Sequence, residues 1–120
     1  MVVYGKERGF LMTVGASAEI AKLCPGKKLE NLREVFGGEV NDADSLENTA
    51  RVVVALNKGY ESSRHYEDPS YAMEPLTVDQ LLSLDMETFR RVTNEAVRSM
   101  TPHREIESVP LKKNTDEPGM

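Results

Sequence analysis

Asp44-Ser45-Leu46-Glu47-Asn48-Thr49-Ala50-Arg51-Val52-Val53-Val54-Ala55-Leu56-Asn57-Lys58-Gly59-Tyr60-Glu61-Ser62-Ser63-Arg64-His65-Tyr66-Glu67 is the stretch that decides the fold. Its centre, Val52 to Leu56, is apolar and β-branched enough to form a buried strand. The flanks argue for a helix instead. Leu46, Ala50, Val53, Val54 and Leu56 keep helical spacing into Tyr60, and the pattern runs far beyond strand length. Asp44 is expected to cap the start, with Glu47 in the capping-box position. Gly59 weakens a helix by about 1 kcal/mol against Ala, which leaves a break there as an alternative.

Upstream of this helix, Leu29, Leu32, Val35 and Phe36 share one helical face and Gly37-Gly38 supplies a stop. A further short helix is expected after Gly15, over Ala16 to Leu23. Cys24-Pro25-Gly26 ends it, because proline cannot continue the backbone ladder. At the start of the chain, Val2-Val3-Tyr4 and Phe10-Leu11-Met12 are β-prone runs separated by Gly5-Lys6-Glu7-Arg8-Gly9, which predicts a hairpin. Two strands alone are marginal in water, so helices or a second subunit must cover or extend them.

Downstream, Glu67 to Pro75 reads as a loop bounded by prolines. Thr77 and Gln80 form a capping box, with Leu76 and Leu81 in the staple positions on either side. Leu84, Asp85 and Phe89 repeat that arrangement for a last helix. Its apolar stripe is Met86, Phe89, Val92, Ala96, Val97 and Met100. Beyond Thr101-Pro102 the chain is polar and proline-rich, and a flexible tail over 102–120 is expected. The fold expected is mainly α with a short N-terminal β-hairpin (α+β), one domain over 1–101 with about four to five helices.

Composition narrows the function. A formal charge of −5, no Trp, and basic residues scattered among acids argue against nucleic-acid binding. A single cysteine permits no intrachain disulfide, no run is long and apolar enough for a membrane span, and the start lacks the marks of a signal peptide. A cytoplasmic protein is expected.

The residues offer little chemistry. His65 with Glu67 and Asp68 is a poor ligand set for a metal, read better as a solvated helix end. Cys24 follows a helix C-terminus, where the dipole does not favour a thiolate, so a buried structural thiol is expected. Pro25-Gly26-Lys27-Lys28 lacks phosphate-loop spacing and reads as a turn. No catalytic residue, cofactor or metal is expected. Tyr60, Tyr66 and Tyr71 have the large rigid area and polar tip of interface residues. Packing of Tyr60 in the core and of the other two under the loop is the alternative.

The order of these elements resembles a known family. A hairpin leads into Gly15-Ala16-Ser17-Ala18-Glu19-Ile20, then a short amphipathic helix and a long apolar one ending in Leu56-Asn57-Lys58-Gly59-Tyr60-Glu61. A loop, Leu76-Thr77-Val78-Asp79-Gln80-Leu81-Leu82-Ser83-Leu84 and a terminal helix follow. Over about residues 1 to 100 this is similar to the tail assembly chaperones of long-tailed bacteriophages and prophages. The resemblance implies a self-associating helical protein that coats the tape-measure protein while tail-tube subunits assemble around it. Many such chaperones also exist in a longer, frameshifted form. Lys112-Lys113-Asn114 is encodable as AAA-AAA-AAC, which contains a slippery heptamer near the end of the frame. An ordinary solvated Lys pair is the other reading. On the chaperone reading, Val54, Tyr60, Tyr66 and Met73 are the candidate partner-binding residues, and the hairpin edge is a candidate joint between subunits. A different protein-interaction module, another phage morphogenesis or regulatory factor, and a small enzyme around His65 or Cys24 remain as alternatives.

Overall fold

The computed structural model describes residues 1–31 and 43–100. In chain order its elements are β1 (Val2–Val3), β2 (Lys6–Glu7), α1 (Val14–Leu23), single 3-10 turns at Pro25–Lys27 and Leu29–Asn31, α2 (Ala43–Glu67), α3 (Val78–Leu82) and α4 (Met86–Arg98). This is the mainly α domain with a two-stranded N-terminal sheet that the sequence implies. The expected helix through Leu32, Val35 and Phe36, its Gly37-Gly38 stop, and the expected tail over 102–120 lie outside the described residues.

The valine-rich stretch is helical, and α2 is the axis of the fold. It packs against α1 on one side and against α3 and α4 on another. Val52, Val53, Ala55 and Leu56 are therefore all buried, which explains why the centre of this helix is apolar nearly all round. Each fully buried Val or Leu contributes about 1.5–3 kcal/mol relative to an exposed one. Ile20 from α1, Leu76 and Leu81 around α3, and Phe89, Val92 and Ala96 from α4 complete the core. Asp44 lies within the first turn of α2 instead of preceding it. Gly59 does not break the helix, and Leu11 and Thr13 pack closely against it.

The hairpin forms with a different second strand. Val2 pairs with Glu7 and Val3 with Lys6, so the connection is the two-residue turn Tyr4-Gly5. Both turn residues have positive φ, 53° and 75°, as a two-residue hairpin that follows strand twist requires. Gly5 adopts this freely. Tyr4 is the less usual occupant, and its hydroxyl donates to the Gln80 carbonyl at 2.7 Å, which ties the turn to α3. Phe10-Leu11-Met12 is not a strand. It crosses α2, where the Leu11 N–H donates to the Leu56 carbonyl at 3.0 Å.

The helix ends follow local chemistry closely. α1 begins two positions before the expected Ala16, because the Thr13 hydroxyl caps it by accepting from the Ala16 N–H at 3.0 Å. At α3 the Gln80 N–H donates to the Thr77 hydroxyl at 3.1 Å and the Thr77 N–H to the Gln80 side chain at 3.0 Å. That is the full capping box. Asp85 caps α4 by accepting from the Thr88 N–H at 3.0 Å. The stripe on α4 buries Phe89, Val92 and Ala96, while Met86 at its start is 45% exposed.

Candidate functional site

Asn57 and Glu61 continue the face of α2 that carries Ala50 and Val53, one turn apart, and both side chains are fully buried. Such groups need partners, and here the partners come from two separate segments of chain. The Asn57 amide donates to the Gly9 carbonyl at 2.9 Å, while its oxygen accepts from the Leu76 N–H at 2.7 Å. The Glu61 carboxylate accepts from the Glu74 N–H at 2.8 Å, from the Tyr71 hydroxyl at 2.8 Å and from Lys6 at 3.4 Å. Arg8, also buried, donates to the Val3 carbonyl at 3.2 Å and to the Glu74 carbonyl.

Burial is the largest single influence on the Glu61 carboxyl and pushes its pKa up. The hydrogen bonds from Glu74 and Tyr71, together with the Lys6 charge, outweigh it and hold the group below the ordinary glutamate value. The Tyr71 hydroxyl is raised because it donates to that carboxylate, and burial raises it further. For Lys6, partial burial works downward but the facing Glu61 prevails and raises the ammonium. Glu61 is thus a satisfied anion with its lone pairs committed. The arrangement builds structure, and it offers no free base to a substrate.

The expected partner-binding residues do not form one patch. Val54, Tyr60 and Tyr66 are spaced six residues apart, so each is turned by roughly 240° from the last around the helix. Val54 is half-buried against the core. Tyr60 lies against Gly9, where a Cβ would come within 2.5 Å of its ring, and Arg64 donates to its hydroxyl at 2.9 Å. Tyr71 packs beneath Arg64 and Lys6, with those cations 4.8 Å and 5.4 Å from its ring centre. Met73 is 38% exposed on the loop after α2. Tyr66 lines an open groove.

That groove runs between α1 and α2 and encloses about 490 Å³. Its floor is Ala16, Ala55 and Gly59, its polar wall includes Ser62 and Ser63, and Val14 and Tyr66 stand at its edge. Their exposures of 89% and 84% leave two large apolar side chains in water beside a preformed cleft. A second groove of about 450 Å³ lies between the start of α2 and α4, over Leu46, Met86, Phe89 and Val97. Among the described residues no group of three or more His, Cys, Asp or Glu could hold a metal ion, and no helix is long and apolar enough to cross a membrane.

His65 and Cys24 have structural surroundings. The His65 Nδ1 lies 3.0 Å from the Tyr71 carbonyl, helping to hold the loop. Cys24 is buried, and its Sγ donates to the Ile20 carbonyl at 3.3 Å. Asn57, Glu61 and Arg8 belong to no motif in the sequence. A signal existed for the first two: polar side chains standing in an apolar helical register.

No family model, no curated protein and no solved structure matches this chain.

Proposed function

We propose that this chain is a non-catalytic protein-binding protein that acts as a phage tail assembly chaperone. In this role it shields the apolar, helical surface of a tape-measure protein in the cytoplasm of a bacterial host until tail-tube subunits take its place. The observation that supports the binding role best is the α1–α2 groove with Val14 and Tyr66 exposed beside it. Large apolar side chains carried on packed helices lose little freedom when a partner covers them, and an amphipathic helix is the partner such a groove fits. The acidic net charge of −5 favours a protein partner over a nucleic acid. Self-association is part of the reading, with the exposed hairpin as its candidate surface.

Two experiments test it. Intact-mass analysis of the products of the native locus, with downstream DNA in place, is expected to show the 13.4 kDa chain and a minor, longer species sharing its first residues up to about Lys113. The 13.4 kDa product alone removes the main support for the chaperone identity and leaves a protein-interaction module. Co-purification with the tape-measure protein of the same locus tests the groove itself. Tyr66→Glu should abolish co-purification while leaving the circular dichroism of the chain unchanged. Retention of the complex by this variant would move the binding surface elsewhere.

A further inference from the structure

The loop after α2, residues 68–76, behaves structurally as a strap. Among the described residues its backbone-to-backbone hydrogen bonds are local, from the Asp68 N–H to Arg64 and from the Tyr71 N–H to Asp68. Its attachment to the body of the protein is made by side chains. Glu61 holds the Glu74 N–H and the Tyr71 hydroxyl, Asn57 holds the Leu76 N–H, and Arg8 holds the Glu74 carbonyl. The same two residues of α2 hold the N-terminal segment, Glu61 through Lys6 and Asn57 through the Gly9 carbonyl. Direct links join the two segments as well, since Lys6 lies 3.6 Å from the Glu74 carboxylate and over the Tyr71 ring.

We propose that the N-terminal segment 1–11 and the strap 68–76 open and close as one cooperative unit, latched by Asn57 and Glu61 of α2. The reason is the penalty for half-made networks. If the strap lifts alone, Asn57, Glu61 and Arg8 lose partners while the N-terminal segment still shields them from water. Buried polar groups left in that state cost more than releasing the second segment. The same holds if the N-terminal segment lifts first. Opening of the unit uncovers the Asn57–Glu61 face of α2 and takes Val3 and Leu76 out of the core, while α1 and α4 stay packed on the rest of α2. The inference is independent of the proposed function.

Hydrogen exchange of the full chain, followed by NMR at single amides, tests this. The reporters are the Arg8 and Leu11 N–H groups in one segment and the Glu74 and Leu76 N–H groups in the other, each hydrogen-bonded in the closed form. Tyr71→Phe cuts a tie made by the strap, and Lys6→Met cuts ties made by the N-terminal segment. Each variant is expected to accelerate exchange about tenfold at all four reporters, with Ile20 in α1 and Val92 in α4 unchanged. Acceleration confined to the mutated segment would show independent opening and overturn the proposal. Equal acceleration at Ile20 and Val92 would show global unfolding and overturn it too, as would no acceleration at any reporter.

Discussion

Gly59 and Leu11 approach more closely than any side chain at position 59 permits: a Cβ there would stand 2.6 Å from the Leu11 carbonyl oxygen. The Thr13 hydroxyl would be only 2.8 Å away. This approach lets the Leu11 N–H reach the Leu56 carbonyl and lets the chain turn directly into the Thr13 cap of α1. Gly59→Ala, which helix propensity favours by about 1 kcal/mol, is therefore expected to destabilise the protein by about 1–3 kcal/mol through overpacking. Urea unfolding measures it. Gly15→Ala is the control, since a Cβ there meets nothing nearer than 4.0 Å and should stabilise α1 by about 0.5–1 kcal/mol.

Asn57→Ala removes one side chain but strands two backbone groups, the partly buried Gly9 carbonyl and the buried Leu76 N–H. The expected loss is about 2–4 kcal/mol, larger than for an ordinary surface deletion. Asn57→Leu restores volume without the hydrogen bonds and should recover little of it. Recovery to wild-type stability in the urea midpoint of the Leu variant would mean that packing, not the bridge, is what matters.

Stability is expected to fall at both extremes of pH through the Glu61 cluster. The folded-state pKa of Glu61 lies below its unfolded value, so its contribution is complete above the ordinary glutamate range. That contribution is lost as the pH falls through the lowered folded-state value. Lys6 and Tyr71 have raised values, so theirs is complete below the unfolded pKa of each and is lost as the pH rises through the folded one. Melting temperature against pH should therefore form a plateau with an acid and an alkaline limb. Glu61→Gln should lower the plateau and flatten the acid limb; an unchanged acid limb would assign acid unfolding to other carboxylates.

The caps of α3 and α4 should each contribute independently. Thr77→Ala is expected to cost about 1 kcal/mol, the usual range for losing a side-chain cap, and Asp85→Ala to lower stability as well. Because the Asp85 carboxylate is held below its ordinary value by the Thr88 hydroxyl and then by the Thr88 amide, its share is complete above the ordinary aspartate range and is lost as the pH falls through the lowered value. The two caps do not share a partner, so the double variant should lose the sum of the single losses. Thermal melts at neutral and acid pH separate these effects.

Local chemistry in the sequence determined where most helices start and stop. Thr77 with Gln80, Asp85 ahead of Phe89, and Cys24-Pro25-Gly26 act through bonds and torsions within a few residues, so neighbours in sequence suffice to specify them. The helical period of α2 was equally legible, because its flanks carry the pattern past the ambiguous valines. Contacts far apart in sequence were not. Tyr4-Gly5 took the hairpin turn because strand twist and the tie to Gln80 select it, and Phe10-Leu11-Met12 was drawn onto α2 instead of pairing with Val2-Val3. Tertiary packing likewise decided that Gly59 is required in a helix it intrinsically weakens. It also decided that Val54, Tyr60 and Tyr66 face three ways, and that Asn57 and Glu61, buried polar residues in an apolar register, find partners from both the N-terminal segment and the loop after α2. Propensity acts over one turn; these choices depend on which backbone groups arrive from elsewhere and must be hydrogen-bonded once water is gone.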